Sequence, residues 1–271
     1  EAALAFMGKA QVFAGDYAGA KTTLKKVIDS GNYDLVSGPD MWNMFHRAGD
    51  GSPEKVFEFN YVDNVNLNSF GGFRHFQRNQ SCFWRDLRKL PMPFCQLNNA
   101  WGGGCNPSES FVNAIMANEP NSYRRKAWLI SYEELLTEYE YLLNEEDTEW
   151  GGTKYHVKAD KDMTKEEKLL DPRRGVSTAN ATYFGNIGWF LIKYAPLETE
   201  LNVNSSDAND NNTPVMRYAE VLLLYAEACA QAGDDGSGLA ALNKGATRAG
   251  APTYSSLTLA NVKTEKRFEM F

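Results

Sequence analysis

Residues 215–248 read as two helices joined by a tight Gly-Asp turn, and this feature constrains the fold most. The first helix is strongly apolar and ends at Gly233, and Asp234 then opens the second. Gly suits the position after a helix because it adopts the left-handed conformation without steric cost. Asp is a preferred N-cap. Such a hairpin cannot bury its apolar face alone, so neighbouring helices must stack on it.

Residues 3–28 repeat this plan. The aligned pairs are Gly8 with Ala226, Ala10 with Ala228, Ala14 with Ala232, Gly15 with Gly233 and Asp16 with Asp234. The spacing from Gly8 to Ala20, with Leu24 one turn later, is near that of a tetratricopeptide unit. One copy alone fits any antiparallel helical hairpin, but two matching copies favour the repeat. We therefore expect both hairpins in one helical layer, with small residues at the close approaches: Gly8, Ala20, Ala226 and Ala240.

Composition excludes several classes of protein. The chain has 271 residues, 43% of them hydrophobic, which is enough for one large core or two modest ones. No run of about eighteen apolar residues occurs, so no segment is expected to span a membrane. The formal charge is -7, and the basic runs at 124–126 and 173–174 are short. Phosphate-backbone binding needs clustered Lys and Arg, so nucleic acid is excluded as a partner.

Several short motifs occur along the whole chain and are dense only near its ends, above all in the second hairpin. They are Arg217-Tyr218-Ala219-Glu220, residues 222–228, Asn243, Arg248-Ala249-Gly250 and, in order along the chain, residues 14–17, 30–35, 54–57, 107–112, 193–194 and 265–270. Together they resemble the SusD/RagB family of outer-membrane nutrient-binding lipoproteins. Two positions depart from the family pattern: Lys266 in the closing Glu-Arg-Arg-x-Glu-Leu motif, and Tyr123 where Asp-Pro-Arg is usual.

The resemblance implies a fold and a setting. The fold is mostly α, with tetratricopeptide-like hairpins at 1–36 and 214–250 and an irregular, short-strand insertion at 55–200, all in one SusD-like domain fragment spanning 1–271. The implied setting is the cell surface, with a lipid anchor upstream of residue 1 and a SusC-like TonB-dependent transporter as partner. Both ends fall inside helical patterns, so we also expect a truncated chain whose Phe268 and Phe271 lack packing partners.

The middle of the chain is organised differently. Alternation over residues 56–61 predicts a half-buried strand with Phe57 and Phe59 on one face. Residues 64–104 lack helical periodicity and are rich in Asn, Gly, Pro and aromatics, and so long a loop is unusual without a function.

Local signals predict four further segments. Residues 107–117 form a helix capped by Asn106, and Ser131 opens a second helix, to about residue 143, through a capping box. Residues 148–194 are irregular or strand-like, and residues 202–212 form a solvated, mobile linker.

Sugar-binding chemistry is concentrated in residues 64–104. Sugars present flat C–H faces, which stack on aromatic rings, and hydroxyls, which need directional amide or guanidinium partners. The candidate ligand residues are Phe83, Trp84, Trp101 and Trp150 as plates and Asn79, Arg85, Asn98 and Asn99 as polar partners. Trp101 is the first choice because three glycines follow it. Trp42 and Trp128 are assigned to the core, and Trp189 fits either role.

The sequence contains no recognisable motif for catalysis or metal binding. The sequence holds no Gly-x-Ser-x-Gly, His-Glu-x-x-His or phosphate loop, and its three histidines are scattered. We expect no enzyme activity and no cofactor. The four cysteines lack zinc spacing and are read as thiols, with a disulfide among Cys82, Cys95 and Cys105 left open. Cys229 is assigned to the core, and Asp207 and Asp210 to a solvated linker rather than a Ca²⁺ site.

Two functions remain after these exclusions. The first is non-catalytic oligosaccharide binding for delivery to the transporter. The second is a helical-repeat scaffold that binds a peptide or a protein. Aromatic loops favour a glycan, whereas a peptide binder relies more on strand edges and charged pockets.

Overall fold

The computed structural model describes residues 1–60, 107–131, 134, 146–150, 153–158, 162–164, 166–167, 189–194, 201–202, 205–209 and 211–271. The chain divides into two compact units. The first comprises Glu1–Tyr61, Ala114–Ala127 and Asn211–Phe271, and the second comprises Val62–Asn113 and Trp128–Asp210. The predicted mostly helical fold is confirmed, since seven helices lie in the described part of the chain.

The first hairpin consists of α1 (Ala2–Ala14) and α2 (Tyr17–Asp29). Gly15 ends α1 with φ +80°, a left-handed conformation that favours glycine. Asp16 caps α2, and its carboxylate accepts a hydrogen bond from Gly19 N at 2.9 Å. Gly15 therefore ends the first helix and Asp16 caps the second, as the sequence predicts.

The second hairpin consists of α5 (Tyr218–Ala232) and α6 (Asp235–Ala249). Gly233 has φ +77° and ends α5 as Gly15 ends α1. Asp234 differs from Asp16, since its carboxylate accepts from the Ser237 hydroxyl at 3.0 Å and caps no backbone amide. Nearly all of α5 is buried, so this helix forms the centre of the first unit.

The two hairpins pack side by side. Helix α2 lies against α5, and a single hydrophobic core contains residues of α1, α2, α5 and α6. Lys21 Nζ lies 2.5 Å from an Asp234 oxygen, and Lys9 Nζ lies 2.7 Å from Glu220. These ion pairs join one hairpin to the other along the layer.

One of the four small residues predicted at the close approaches between helices does not lie at one. A Cβ on Gly8 would lie 2.4 Å from Leu24 Cδ2, so the predicted close approach in the first hairpin is present. In the second hairpin Ala240 is exposed, and Gly238 occupies the close approach. Gly238, not Ala240, is twelve residues after Ala226, which repeats the spacing of Gly8 and Ala20.

We expect Gly238→Ala to lower the thermal unfolding midpoint. A Cβ there would lie 2.5 Å from Cys229 Cβ, which the α5 backbone holds in place. Overpacking of this kind costs about 1–3 kcal/mol, more than the helix-propensity gain of up to about 1 kcal/mol. Gly236→Ala is the matched control, since a Cβ there meets no atom within 4 Å. It should raise the midpoint, and equal midpoints for the two variants would contradict the packing.

The last helix, α7 (Leu259–Glu269), packs against α5. Thr258 caps it by accepting from Asn261 N at 3.1 Å. Phe268 is buried, so the expectation that it lacks packing partners is wrong. The reason is that α7 turns this face toward the rest of the first unit. There the guanidinium carbon of Arg124 lies 5.8 Å from the Phe268 ring centre.

One antiparallel ribbon belongs to the first unit. It pairs β1 (Lys55–Phe59) with β8 (Thr213–Arg217), with Phe59 opposite Thr213. The strand predicted at 56–61 is confirmed as far as Phe59, with Val56 buried and Phe57 and Phe59 exposed; Tyr61 lies outside the described residues. Two 3₁₀ turns, Asn43–Phe45 and Arg47–Gly49, precede this ribbon.

The remaining helices are α3 (Glu109–Asn118) and α4 (Tyr123–Trp128). Helix α3 begins later than predicted. Its first turn is capped by Ser108, whose hydroxyl accepts from Phe111 N at 3.3 Å, and Asn106 lies outside the described residues. Pro107 therefore precedes the cap rather than occupying the first helical position.

Three ribbons lie in the described residues of the second unit. They pair β2 (Leu129–Ser131) with β5 (Trp189–Leu191), β3 (Glu146–Trp150) with β4 (Thr153–Val157), and β6 (Leu201–Asn202) with β7 (Ser205–Asn209). The linker prediction for 202–212 is thus wrong for most of its length, because Leu201 pairs with Asn209 and Asn202 with Ser205.

The capping box at Ser131 is confirmed. Glu134 N donates to the Ser131 hydroxyl at 3.0 Å, and Ser131 N donates to the Glu134 carboxylate at 2.9 Å. The rest of that predicted helix lies outside the described residues. None of the helices in the described ranges is both long and apolar enough to cross a membrane.

Candidate functional site

Most of the predicted ligand residues lie outside the described part of the chain. These are Asn79, Phe83, Trp84, Arg85, Asn98, Asn99 and Trp101. Trp150 is the last residue of β3 and pairs with Thr153, so the backbone of β3 and β4 places it beside the turn of this hairpin. Its ligand role stays a prediction with the others.

The scaffold fixes where the chain leaves the first unit. β1 ends at Phe59 and β8 begins at Thr213, and these residues are opposite each other in the ribbon. The chain leaves the first unit just after this end of β1, returns to it for Ala114–Ala127, and resumes it at Asn211 just before β8. The predicted ligand segment at 64–104 therefore follows β1 directly along the chain.

A buried lysine fastens this end of the ribbon. Lys55 Nζ lies 3.0 Å from Asp50 and 2.9 Å from Glu58, and its side chain is almost wholly buried. Asn212 N donates to Asp50 Oδ1 at 3.0 Å, and Asn212 Nδ2 donates to Glu58 Oε1 at 3.1 Å. These contacts tie Asn212, which precedes β8, to Asp50, which precedes β1, and to Glu58 within β1.

The strongest concentration of charge in the first unit is buried. Seven residues form it, and we call them the buried ionic cluster: Glu54, Glu119, Arg124, Arg217, Arg248, Glu265 and Glu269. It contains three guanidinium groups and four carboxylates, and it joins α4, α6, α7 and β8 to residues beside α3 and β1.

Arg124 organises one half of the cluster. Its guanidinium donates two hydrogen bonds to Glu119, both 2.6 Å, and two to Glu265, at 2.5 and 2.9 Å. Glu269 lies 3.4 Å from Arg124 Nη1. The Tyr254 hydroxyl donates to Glu265 at 3.1 Å. Both acids thus bind the planar fork of the arginine in two-point geometry, the strong form of this interaction.

Arg217 and Arg248 organise the other half. Arg217 Nη1 donates to Glu54 and to Glu269, both at 2.9 Å. Arg248 donates to Glu54 at 2.6 Å and to Glu269 at 2.7 Å. Glu54 also accepts from Val36 N at 3.0 Å. Two acids and two arginines therefore alternate in a closed ring of contacts.

The pKa values in the cluster follow from this crowding. Burial raises the pKa of Glu265, and the neighbouring Glu269 and Glu119 add to that rise against the opposing effect of Arg124. Burial alone would raise the pKa of Glu269, but Arg248, Arg217 and Arg124 outweigh it and lower the pKa to about 2. Burial lowers the pKa of Arg124, yet its hydrogen bonds to Glu119 and Glu265 raise it above the ordinary value.

The cluster is a structural clamp. Its charged atoms bond to one another and are shut off from solvent, so a dissolved sugar cannot contact them. Five members lie in the motifs quoted above: Glu54, Arg217, Arg248, Glu265 and Glu269. The two departures from the family pattern are compatible with this cluster. Lys266 forms an ion pair with Glu227 at 2.8 Å, and Tyr123 directly precedes the cluster residue Arg124. These motifs therefore specify the scaffold rather than the ligand.

For the tryptophans that the structure describes, the burial of the side chains supports the predicted roles in part. Trp128 is fully buried, as predicted, and Lys193 Nζ lies 4.5 Å from its ring centre. Trp42 is partly buried and stacks on His46 at 3.8 Å. Trp189 is partly buried on β5. Cys229 is a buried free thiol, as predicted, and Cys82, Cys95 and Cys105 lie outside the described residues.

Within the described ranges, no group of three His, Cys, Asp or Glu side chains could hold a metal ion. His46 is buried beside Trp42, and His156 is exposed on β4. The buried acids of the first unit that lie closest together are neutralised by arginine. This arrangement offers no accessible acid–base pair.

Solved structures with the same fold include glycan-binding proteins. The surface glycan-binding protein A of Bacteroides thetaiotaomicron is 23% identical, with a TM-score of 0.66 over 97% of this chain and 49% of its own. Its complex with laminarihexaose gives 24% identity and a TM-score of 0.64 over 96% and 48%. The Bacteroides fluxus protein gives 20% and 0.65 over 98% and 48%. This chain spans about half the length of these structures.

No curated protein matches the chain. The model of the SusD family, however, matches residues 53–271, which include β1, the second hairpin, α7 and all seven members of the buried ionic cluster. By this match, the chain belongs to the SusD family.

Proposed function

We propose that this chain binds oligosaccharides at the bacterial cell surface without cleaving them. Membership of the SusD family over residues 53–271 is the observation that carries the proposal. Solved relatives named surface glycan-binding proteins share the fold, and one was solved in complex with laminarihexaose. The aromatic and amide composition of residues 64–104 supplies the chemistry that a sugar requires.

The proposed ligand site lies in the 55–200 insertion of a single SusD-like domain. The buried ionic cluster of the first unit is assigned to the scaffold and not to the ligand site, because its charged atoms are engaged with one another. Trp101, Trp84, Phe83 and Trp150 act as plates, with Asn79, Arg85, Asn98 and Asn99 as hydrogen-bonding partners. A binding site works best when rigid elements hold the segment that carries it.

Weak binding follows from the energetics of such plates. A sugar covering about 100 Å² of indole contributes about 2.5 kcal/mol at about 25 cal/mol/Å². Association costs about 4 kcal/mol or more, so a single plate cannot hold a ligand. Two or three plates with hydrogen bonds reach dissociation constants of about 1 mM to 1 μM. The site is therefore suited to capturing chains of several sugars.

Trp101→Ala is expected to weaken glycan binding by about 2 kcal/mol, roughly thirty-fold, because an aromatic plate for the sugar face is lost. Its unfolding free energy should fall by less than the loss of about 3 kcal/mol typical of a buried aromatic. Isothermal calorimetry and thermal melts on one preparation measure both quantities.

Trp128→Phe is the matched control for Trp101→Ala, since Trp128 is fully buried. It should lower stability and leave affinity unchanged. If Trp101→Ala instead behaves like this control, Trp101 is a core residue and the site must be sought at Trp150 or Trp189.

We further propose the setting of the family. An anchor upstream of residue 1 holds the protein at the outer membrane, and a SusC-like TonB-dependent transporter receives the oligosaccharide. Family membership supports this setting. Co-purification of the natural protein with such a transporter from detergent-solubilised outer membranes tests it, and recovery of the protein from the cytosolic fraction alone would contradict it.

A further inference from the structure

The register of the β3–β4 hairpin brings a second aromatic residue beside Trp150. Trp150 is paired with Thr153, and Thr148 is paired with Tyr155. Directly opposed residues of an antiparallel ribbon lie on the same face, and the two faces alternate along each strand. Trp150 and Tyr155 therefore share one face of this ribbon, as diagonal neighbours across its two strands.

The other face of the hairpin is charged. Glu149 is paired with Lys154, and Asp147 is paired with His156. The side chains of Lys154 and His156 are both exposed to solvent. The hairpin thus has one charged, solvent-facing side, and its two aromatic residues both belong to the opposite side.

Trp150 and Tyr155 are close enough for one oligosaccharide to span both. Diagonal neighbours of an antiparallel pair lie roughly 7–8 Å apart, which is within the reach of aromatic side chains. Trp150 is also the last residue before the turn, since only Gly151 and Gly152 separate it from Thr153. Glycine has no side chain, so these two residues add no bulk beside Trp150.

We propose that Tyr155 is a second ligand-stacking residue, and that it binds the sugar ring next to the one bound by Trp150. This rests on the oligosaccharide binding proposed above and adds a residue to that site. A single plate contributes too little to offset the cost of association, whereas two plates on one ribbon act on the same ligand. The hairpin therefore recognises two consecutive sugar rings rather than an isolated one.

Calorimetric titration of the full-length protein and its variants tests this role. The probes are laminarihexaose and hexasaccharides from cellulose, xylan, mannan and pectin. Tyr155→Ala should weaken binding of the tightest probe about ten-fold, because one plate is lost. Tyr155→Phe keeps the ring and should bind nearly as the wild type does. The matched control is Lys154→Gln, which changes the adjacent residue on the charged face and should leave affinity unchanged.

The outcomes separate this proposal from the proposed function. If the wild type binds a probe and Tyr155→Ala binds it equally well, Tyr155 is not a ligand residue and the proposed function stands. A large fall in the melting temperature of Tyr155→Ala with unchanged affinity would make Tyr155 a packing residue. A wild type that binds none of the sugars would overturn both proposals.

Hydroxyl-radical footprinting of the wild type gives a measurement that needs no variant. Trypsin releases residues 155–158, which contain Tyr155 together with His156 as an internal control on the charged face. A saturating probe should slow the oxidation of Tyr155 several-fold and leave that of His156 unchanged. An unchanged rate at Tyr155, or equal slowing at both residues, would contradict binding on the aromatic face.

Discussion

Arg124→Met is expected to destabilise the first unit by about 3–5 kcal/mol, because it leaves buried carboxylates without a counter-charge. Arg124 donates two hydrogen bonds each to Glu119 and Glu265, and all three side chains are buried. Urea denaturation at neutral pH, followed by circular dichroism, measures the loss. Arg124→Lys should fall between the variant and the wild type, since it keeps the charge and loses the two-point geometry.

The matched control for Arg124→Met is Lys244→Met. Lys244 pairs with Asp34 at 2.8 Å, but both side chains are largely exposed. Removing an exposed pair costs about 1 kcal/mol or less. If the two variants unfold at the same urea concentration as the wild type, the buried ionic cluster does not clamp the fold.

The second large effect is a loss of stability in acid that depends on Glu269. Its pKa is lowered from 4.5 to about 2 in the folded protein, where Arg217 and Arg248 donate to it. Stability from such a group is fully present above pH 4.5 and is lost as the pH falls toward 2. A depression of this size corresponds to about 3 kcal/mol.

Glu269→Gln isolates this contribution. The variant keeps the side-chain shape but cannot titrate, so its stability should change less between pH 5 and pH 2 than that of the wild type. Parallel pH profiles for the two proteins would rule out a depressed pKa at Glu269.

The helical hairpins could be predicted from sequence because their signals are local. Gly15 and Gly233 adopt the left-handed conformation that ends a helix, and the small residues follow a fixed spacing. The misassignment of Ala240 arose from choosing a small residue near the repeat position rather than at it. Carrying the offset between Asp16 and Asp234 through to Ala20 identifies Gly238 directly.

The buried ionic cluster could not be predicted in the same way. Arg124 and Glu265 are 141 positions apart, and Arg248 and Glu54 are 194 apart. Sequence motifs identified most of these residues but could not pair them, since pairing depends on how α4, α6 and α7 meet. One local signal was present: Glu265 and Glu269, one helical turn apart, put two acids on one face of α7.

Which face of β1 is buried could not be predicted from the sequence either. Alternation along a strand separates two faces but does not identify the buried one. The smaller Val56 lies in the core, and Phe57 and Phe59 are exposed. For the ligand residues, residue type indicates sugar chemistry, and their positions around a ligand stay a prediction.

Titration of the protein with soluble glycans tests the central claim most directly. Intrinsic Trp fluorescence is followed while oligosaccharides, including laminarihexaose, and peptides of matched length are added, and the recovered ligands are analysed by chromatography. We predict saturable binding of at least one oligosaccharide, with a dissociation constant of about 1 mM to 1 μM, and recovery of that sugar intact. Binding of peptides alone, or steady release of shorter sugars that stops when one carboxylate is replaced, would contradict the claim.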